Sequence, residues 1–480
     1  MQENPMRKTK IICTLGPATD DDEVLRGMML EGMNVARLNF SHSTHEEHKR
    51  RAEQVKRLRE ALGLPIALLA DTKGPEIRLG TFAQAEVLLK AGDIFTLTTE
   101  EVLGTELRAS VSYKGLSDDV LPGARLLIDD GKVELRAETV SPSEIVCRVV
   151  NGGTISAHKS VNVPGAFLNM PFLSSADRAD IRFAVENDFD YIAASFTRRP
   201  GDIIILREEL RRLRCDSILV IAKIENAGGV NNIDAILPLV DGIMVARGDL
   251  GVEMPLEEIP AIQKKLIHKA YNAGKIVVTA TQMLESMTDN PRPTRAEVND
   301  VANAIYDGTS AIMLSGETAM GHYPVETVKT MDAIARRTER DIDYKKRFRN
   351  RLGDEAMNIT NAVSHATVAA AHDLDGKAVI ALTKSGNTAR MISKYRPACT
   401  IIGCSTEEKA VRQMNLSWGV SPILMAEESS TDTLFPHAVA QAEKANLLTE
   451  GDLVVITAGV PLGISGTTNM MRILVVGEPL

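Results

Sequence analysis

The chain has 480 residues, of which 44% are hydrophobic and 25% charged. This ordinary globular balance excludes wholesale disorder and leaves room for roughly three domains of about 150 residues. Its 55 Lys and Arg against 64 Asp and Glu give a net charge of −9 with no long run of one sign, and only one Trp, seven Tyr and ten Phe are present. That combination argues against nucleic acid or an anionic membrane as the main partner.

At the N-terminus, Met1 to Lys10 carry charge but no apolar stretch with the cleavage site of a secretory leader. No window approaches the ~18 uninterrupted apolar residues that a membrane span needs. The five cysteines form no Cys-x-x-Cys pair, and four of them sit in apolar runs, the usage of a reducing compartment. A cytoplasmic location is expected.

Short apolar runs then follow one another, each leading into a stretch of helical spacing: Ile11–Leu15, Val35–Phe40, Ile66–Ala70, Tyr191–Ser195, Ile218–Ile224, Ile243–Ala246, Ile276–Ala280 and Ala311–Leu314. Such runs suit parallel strands buried on both faces, and Thr44-His-Glu-Glu47 is a capping-box start for one of the helices. Eight β/α units predict an α/β fold built on a (β/α)8 TIM barrel over 1–75 and 170–342, with an open doubly wound sheet as the alternative. Residues 76–169 read differently. Gly131 to Val140 alternates apolar and polar, Ser141-Pro-Ser and Asn151-Gly-Gly153 supply turns, and Ile145–Val150 resumes strand composition. This predicts a small all-β insertion leaving the C-terminal end of a strand, placed to act as a lid. Lys345-Lys-Arg-Phe-Arg-Asn-Arg351 is a cationic connector, read as a solvated helix face or interdomain contact. Ala378–Leu382, Thr400–Gly403, Leu453–Thr457 and Ile473–Val476 then predict a C-terminal α/β domain over 343–480.

Functional side chains of a barrel gather where its strands end, and five of the eight predicted ends are polar. Arg37, Asn39 and Ser41 share one face of the second; Asp71, Thr72 and Lys73 follow the third. Lys223 and Glu225 share a face of the fifth, Arg247-Gly-Asp249 follows the sixth, and Thr279-Ala-Thr-Gln282 the seventh. Charges so placed cost several kcal/mol each unless paired. Glu225 and Asp249 are hard oxygen ligands with no His or Cys nearby, which favours Mg²⁺ or Mn²⁺ over Zn²⁺; the plainer alternative is two carboxylates neutralised by Lys223 and Arg247. Arg37 and Lys223 are donors that clamp a phosphate, and backbone N–H groups at Gly248-Asp249 suit an anion. Asn39, Ser41, Asp71 and Thr72 suit a monovalent cation. Together these describe phosphoryl transfer, in which positioning and charge stabilisation do most of the catalysis. His42, His45 and His48 do not have zincin spacing, and a solvated helix start is expected there. Thr383-Lys-Ser-Gly-Asn-Thr388, between a strand and a helix, offers hydroxyls, a Lys and free N–H groups to a phosphate; a Ser/Thr-rich helix cap is the alternative. Cys399 and Cys404 are read as strand thiols.

At these residues the chain resembles pyruvate kinases. The matching stretches are Lys10-Ile-Ile-Cys-Thr-Leu-Gly-Pro17, Asn34-Val-Ala-Arg-Leu-Asn-Phe-Ser-His42, Asp71-Thr-Lys-Gly-Pro-Glu-Ile-Arg78, Ala222-Lys-Ile-Glu-Asn226, Met244-Val-Ala-Arg-Gly-Asp-Leu-Gly251, Thr279-Ala-Thr-Gln-Met-Leu284, Pro293-Thr-Arg-Ala-Glu-Val298 and Met313-Leu-Ser-Gly-Glu-Thr318. They stand in family order, and the likeness extends into the third domain. The resemblance implies transfer of the phosphoryl group of phosphoenolpyruvate to ADP, giving pyruvate and ATP. It assigns Lys223, Arg37 and Thr281 to catalysis, and Arg37, Gly248, Asp249 and Thr281 to substrate. Glu225 and Asp249 fall at the Mg²⁺ (or Mn²⁺) site, and Asn39, Ser41, Asp71 and Thr72 at the K⁺ site. Asn39, His42, Arg78 and, from the lid, Lys159 fall at nucleotide positions. Family members that do not need potassium have Lys where this chain has Glu76, so Glu76 and Thr72 imply potassium dependence, although Leu79 stands where dependent members often have Thr. The resemblance also implies a homotetramer activated by a phosphorylated effector at Thr383, Lys384, Ser385, Gly386, Asn387 and Thr388. It further implies no phosphohistidine-like domain after Leu480. A Mg²⁺-dependent lyase or aldolase would not need Arg78, Lys159 or a lid, and a non-catalytic sensor would tolerate loss of Lys223 and Thr281.

Overall fold

Eight apolar strands close into one parallel cylinder, in the order first, eighth, seventh, sixth, fifth, fourth, third, second. They are Lys10–Thr14, Val35–Asn39, Ala67–Asp71, Tyr191–Ala194, Leu219–Ile224, Gly242–Ala246, Ile276–Ala280 and Ala311–Leu314. The computed structural model describes residues 6–350, 358–461 and 468–478; Met1 to Pro5, Arg351 of the cationic connector and Leu480 lie outside them. Alternate residues of each strand face two apolar layers, as a pleat requires. Ile12, Val35, Leu69, Tyr191, Ile221, Met244 and Val278 fill the inside of the cylinder, while Ile11, Leu38, Leu68, Ile192 and Val277 pack under the helices. The closed barrel, not the open sheet, is what forms.

The helices start where local chemistry allows. Thr44 caps His45–Leu62 through the expected capping box, and Gly63 ends it with φ 63°. The same device, with Thr294 and Glu297, opens Arg295–Asp307.

The insertion between the third and fourth barrel strands is a six-stranded sheet with a separate two-stranded one, around its own core of Phe95, Leu97, Leu126, Leu135 and Cys147. The alternating segments become the antiparallel pair Val133–Val140 and Glu144–Asn151. One short helix, Leu116–Asp119, interrupts the otherwise all-β unit.

The C-terminal unit is a five-stranded sheet. Val420–Leu424 is a strand absent from the sequence reading. Pro422 argues against a strand there, and the segment is tolerated because it lies at the edge of the sheet. Cys404 lies in a strand; Cys399 immediately precedes it. Leu416 enters the inner barrel cluster and Tyr191 donates to the Gln413 carbonyl, so this unit closes the bottom of the cylinder. The cationic connector is an interdomain contact: Arg347 donates to the Tyr306 carbonyl at 2.8 Å, and Lys345 to that of His372 at 2.8 Å.

Candidate active site

With the bottom of the barrel plugged, the polar strand ends meet at the top. Register places Arg37 beside Leu69 and Asn39 beside Asp71, so the second and third strands deliver their polar residues together. Asp71 is completely buried. Its Oδ2 accepts from Arg37 Nε at 2.7 Å, and its Oδ1 pairs with Lys223 Nζ at 3.1 Å. Burial opposes its ionisation, but Lys223 and Arg37 outweigh that and hold its carboxyl below the usual range. Arg37 also donates to Thr14 Oγ1 at 2.8 Å.

Lys223 is the hub. Its ammonium lies 2.8 Å from Glu225 Oε1, 3.1 Å from Asp71 Oδ1 and 2.8 Å from Ser195 Oγ. Burial alone would favour its neutral form, but Asp71, Glu225 and Asp249 more than offset this and raise its pKa. Glu225 is 1% exposed and its Oε2 accepts the Phe196 amide at 2.5 Å. Burial, opposed by Lys223 and reinforced by Asp249, pushes its carboxyl up from the ordinary range. Burial likewise raises Asp249, opposed by Lys223 and reinforced by Asp130 from the lid.

Glu225, buried and paired with Lys223, and the half-buried Asp249 beside it form a donor set that a hard divalent cation completes. Among the described residues no group of three or more His, Cys, Asp or Glu stands ready to hold a metal ion. The plainer alternative holds only for Lys223. Arg247 turns away to Asp300 at 2.7 Å and to the carbonyls of Thr281 and Gln282 at 2.6 and 3.2 Å. Gly248 donates its N–H to Thr281 Oγ1 at 2.9 Å, joining the sixth and seventh strand ends. On the other side, Ser41 N–H donates to Asn39 Oδ1 at 3.1 Å and Thr72 is buried beside Asp71, an oxygen-rich corner with one carboxylate.

Arg78 and Lys159 come together on the lid: Arg78 bridges Ser160 and donates to the His158 carbonyl at 2.8 Å. Arg78 also pairs with Glu76 at 2.8 Å, and Lys159 with Asp129 at 2.9 Å. Asn162 reaches Glu253 of the barrel at 3.3 Å. His42 is exposed after the second strand. His48 corrects the expectation of a solvated helix start: it is buried, with its ring 4.4 Å from that of Phe40, because the helix turns that face inward. The Thr383–Thr388 segment lies far down the chain on the C-terminal unit, apart from these residues. Gly386 has φ 78° there, and Thr388 bonds Thr468 at 2.8 Å.

Sequence reasoning missed Ser195 and Phe196, at the end of the fourth strand. Gly74 makes room for them: with φ 71°, a Cβ there would lie 2.9 Å from the Ser195 carbonyl. The signal available was a lone Ser after an apolar run, which packing alone also produces.

The family model of the pyruvate kinase barrel domain matches residues 6–328, and that of the pyruvate kinase alpha/beta domain matches residues 361–474. The chain belongs to the pyruvate kinase family. A pyruvate kinase of Clostridium acetobutylicum is 47% identical over 98% of this chain and 100% of its own. That of Bacillus licheniformis is 49% identical over 98% of this chain and 81% of its own. A solved pyruvate kinase from Cryptosporidium parvum superposes with a TM-score of 0.93 at 39% identity, covering 98% of this chain and 96% of that one. Pyruvate kinase is a glycolytic phosphotransferase, and this chain is an enzyme of that class. The family implies phosphoenolpyruvate, ADP, ATP and pyruvate as substrates and products, with a divalent metal and potassium. No described helix is long and apolar enough to cross a membrane.

Proposed function

We propose that the chain moves the phosphoryl group of phosphoenolpyruvate to ADP at the mouth of the barrel. The bond from phosphorus to the enol oxygen breaks, a bond from phosphorus to a terminal β-phosphate oxygen of ADP forms, and the enolate left behind takes a proton at its methylene carbon to become pyruvate. The observation that carries this reading is the Lys223 ammonium held between Glu225 and Asp71, beside Arg37 and Asp249. Arg37 and Lys223 bind and orient the phosphoryl group, with Lys223 stabilising its charge in transit. Gly248 and Asp249 bind the substrate, with the Gly248 N–H held by Thr281 Oγ1, and Thr281 stands on the proton path. Glu225 and Asp249 are the residues that would hold Mg²⁺ or Mn²⁺, which supplies charge neutralisation for the transferring group. Asn39, Ser41, Asp71 and Thr72 would hold K⁺. Asn39, His42, Arg78 and Lys159 serve the nucleotide, two of them arriving with the lid. Thr383, Lys384, Ser385, Gly386, Asn387 and Thr388 would cradle a phosphorylated activator in a cytoplasmic homotetramer.

The test is turnover of phosphoenolpyruvate with ADP and Mg²⁺, with and without K⁺, for the wild type and Lys223→Met. The variant is expected to fold and bind Mn²⁺ but to lose on the order of 10³-fold or more in kcat. Wild-type turnover in Lys223→Met would remove it from the mechanism, and full activity in buffer free of potassium and sodium would remove the K⁺ site. The same assay, titrated with fructose 1,6-bisphosphate, ribose 5-phosphate or AMP, tests the activator; indifference to all three would count against it.

A further inference from the structure

Lys223 has three N–H bonds, and all three are committed: to Asp71, Glu225 and Ser195. To meet a phosphoryl oxygen it must redirect one of them while the others keep the ammonium in place. Glu225 has a second duty toward the metal, so the bond to it is the one to redirect. Asp71 is already divided between Arg37 and Lys223. That leaves Ser195 as the acceptor with no competing charge partner.

Ser195 is built for the task. It is 1% exposed, its N–H donates to Thr72 Oγ1 at 3.2 Å, and its hydroxyl lies 2.6 Å from the Thr72 carbonyl and 3.1 Å from Asp71 Oδ1. The single hydroxyl proton goes to the nearer acceptor, the Thr72 carbonyl, and the lone pairs face Lys223 Nζ at 2.8 Å. A neutral acceptor fixes the direction of the ammonium without cancelling its charge, which a third carboxylate would do. The adjoining Phe196 N–H fixes Glu225, so one turn at the end of the fourth strand orients both the cation and the metal-binding acid.

From this geometry we infer that Ser195 is a positioning residue for Lys223, required for turnover rather than for substrate binding. The inference rests on the reading of Lys223 given above. A misplaced ammonium on a flexible stem loses transition-state stabilisation, on the order of 10²-fold for about 1 Å.

Ser195→Ala and Ser195→Cys are compared with the wild type and Lys223→Met in the full chain. Thr is unsuitable because Gly74 approaches Ser195 closely. Ser195→Ala is expected to lose roughly tenfold to a hundredfold in kcat. Its KM for phosphoenolpyruvate and its Mn²⁺ affinity should stay within about threefold, and its Tm within a few degrees. Ser195→Cys, with a weak acceptor of similar shape, should fall between. A folded Ser195→Ala with wild-type kcat overturns the inference, as does a loss confined to KM. If Ser195→Ala does not fold, wild-type kcat in Ser195→Cys overturns it. Turnover surviving in Lys223→Met would defeat the underlying reading of Lys223. An inactive Lys223→Met beside a fully active Ser195→Ala would defeat only the role of Ser195.

Discussion

His48 shows how one ring joins stability to the site. Its Nε2 lies 2.9 Å from the His42 carbonyl, so that nitrogen carries the proton and Nδ1 is bare. Among the described residues Nδ1 has no hydrogen-bond partner, and protonating it would place a charge where nothing accepts it. Burial, aided by the positive charge of Arg51 and opposed by the His42 bond, pushes the ring down to about 4. Between pH 6.5 and 4 the unfolded chain therefore binds more protons than the folded one, and stability must fall as the solution is acidified through that window. With a discount for partial solvent screening, the loss is on the order of 2 kcal/mol. Urea unfolding at pH 6.5 and 4.5 should show His48→Gln losing less stability than the wild type over this step. Equal losses would mean that His48 titrates normally. The same bond fixes the backbone of His42, so the ring that stays neutral also sets a residue assigned to the nucleotide.

At the scale of elements, the end of the seventh strand makes a strained turn in the site. Thr281 and Gln282 have φ 69° and 53°, two successive left-handed residues that are not glycine, at a cost of about 1–2 kcal/mol each. The Arg247 fork holds this turn through the Thr281 and Gln282 carbonyls, with Asp300 behind it. Lys carries charge but no planar fork. Arg247→Lys should therefore release the turn and lower kcat/KM for phosphoenolpyruvate by on the order of 10²-fold, with Tm moving only a few degrees. Retention within twofold would show that the turn holds without the fork. This element also marks the limit of what the sequence carries. The barrel strands were legible because burial on both faces writes an unbroken apolar run, and the meeting of Arg37, Asp71, Lys223 and Glu225 because charge at the ends of such runs has no packing purpose. Arg247 was visible, but its direction was not: a sequence shows an Arg two residues from Asp249 without showing that its partners are carbonyls of the next strand. Ser195 and Phe196 were hidden for the converse reason. One acts through a single hydroxyl and the other through a backbone N–H, which every residue but proline has. Val420–Leu424 was concealed by Pro422, and His48 by the polar company of His45, Glu46 and Glu47.

In the whole molecule, the fourth barrel strand connects the site to the C-terminal unit. Ser195 follows its upper end, and Asp190, fully buried, precedes its lower end. There Arg412 binds Asp190 through Nε at 2.9 Å and Asp188 through Nη2 at 2.8 Å. Arg412 lies on the helix Glu408–Met414. At the end of that helix, Met414 packs so closely against Gly386 of the proposed activator loop that a Cβ there would meet its Cγ at 3.0 Å. The loop and the strand are thus two contacts of one short rigid element. Removing Arg412 leaves Asp190 with the Leu68 amide at 2.8 Å and Arg59 at 3.9 Å, and burial raises its carboxyl pKa even with Arg412 present. Breaking one side of a buried pair costs about 3–5 kcal/mol because the other charge stays uncompensated. Arg412→Ala should therefore lose about that much in urea unfolding. Adding Asp190→Asn should recover part of it, since the neutral amide needs no counter-charge. A loss below about 1 kcal/mol in the single variant would mean that water replaces Arg412 at the interface.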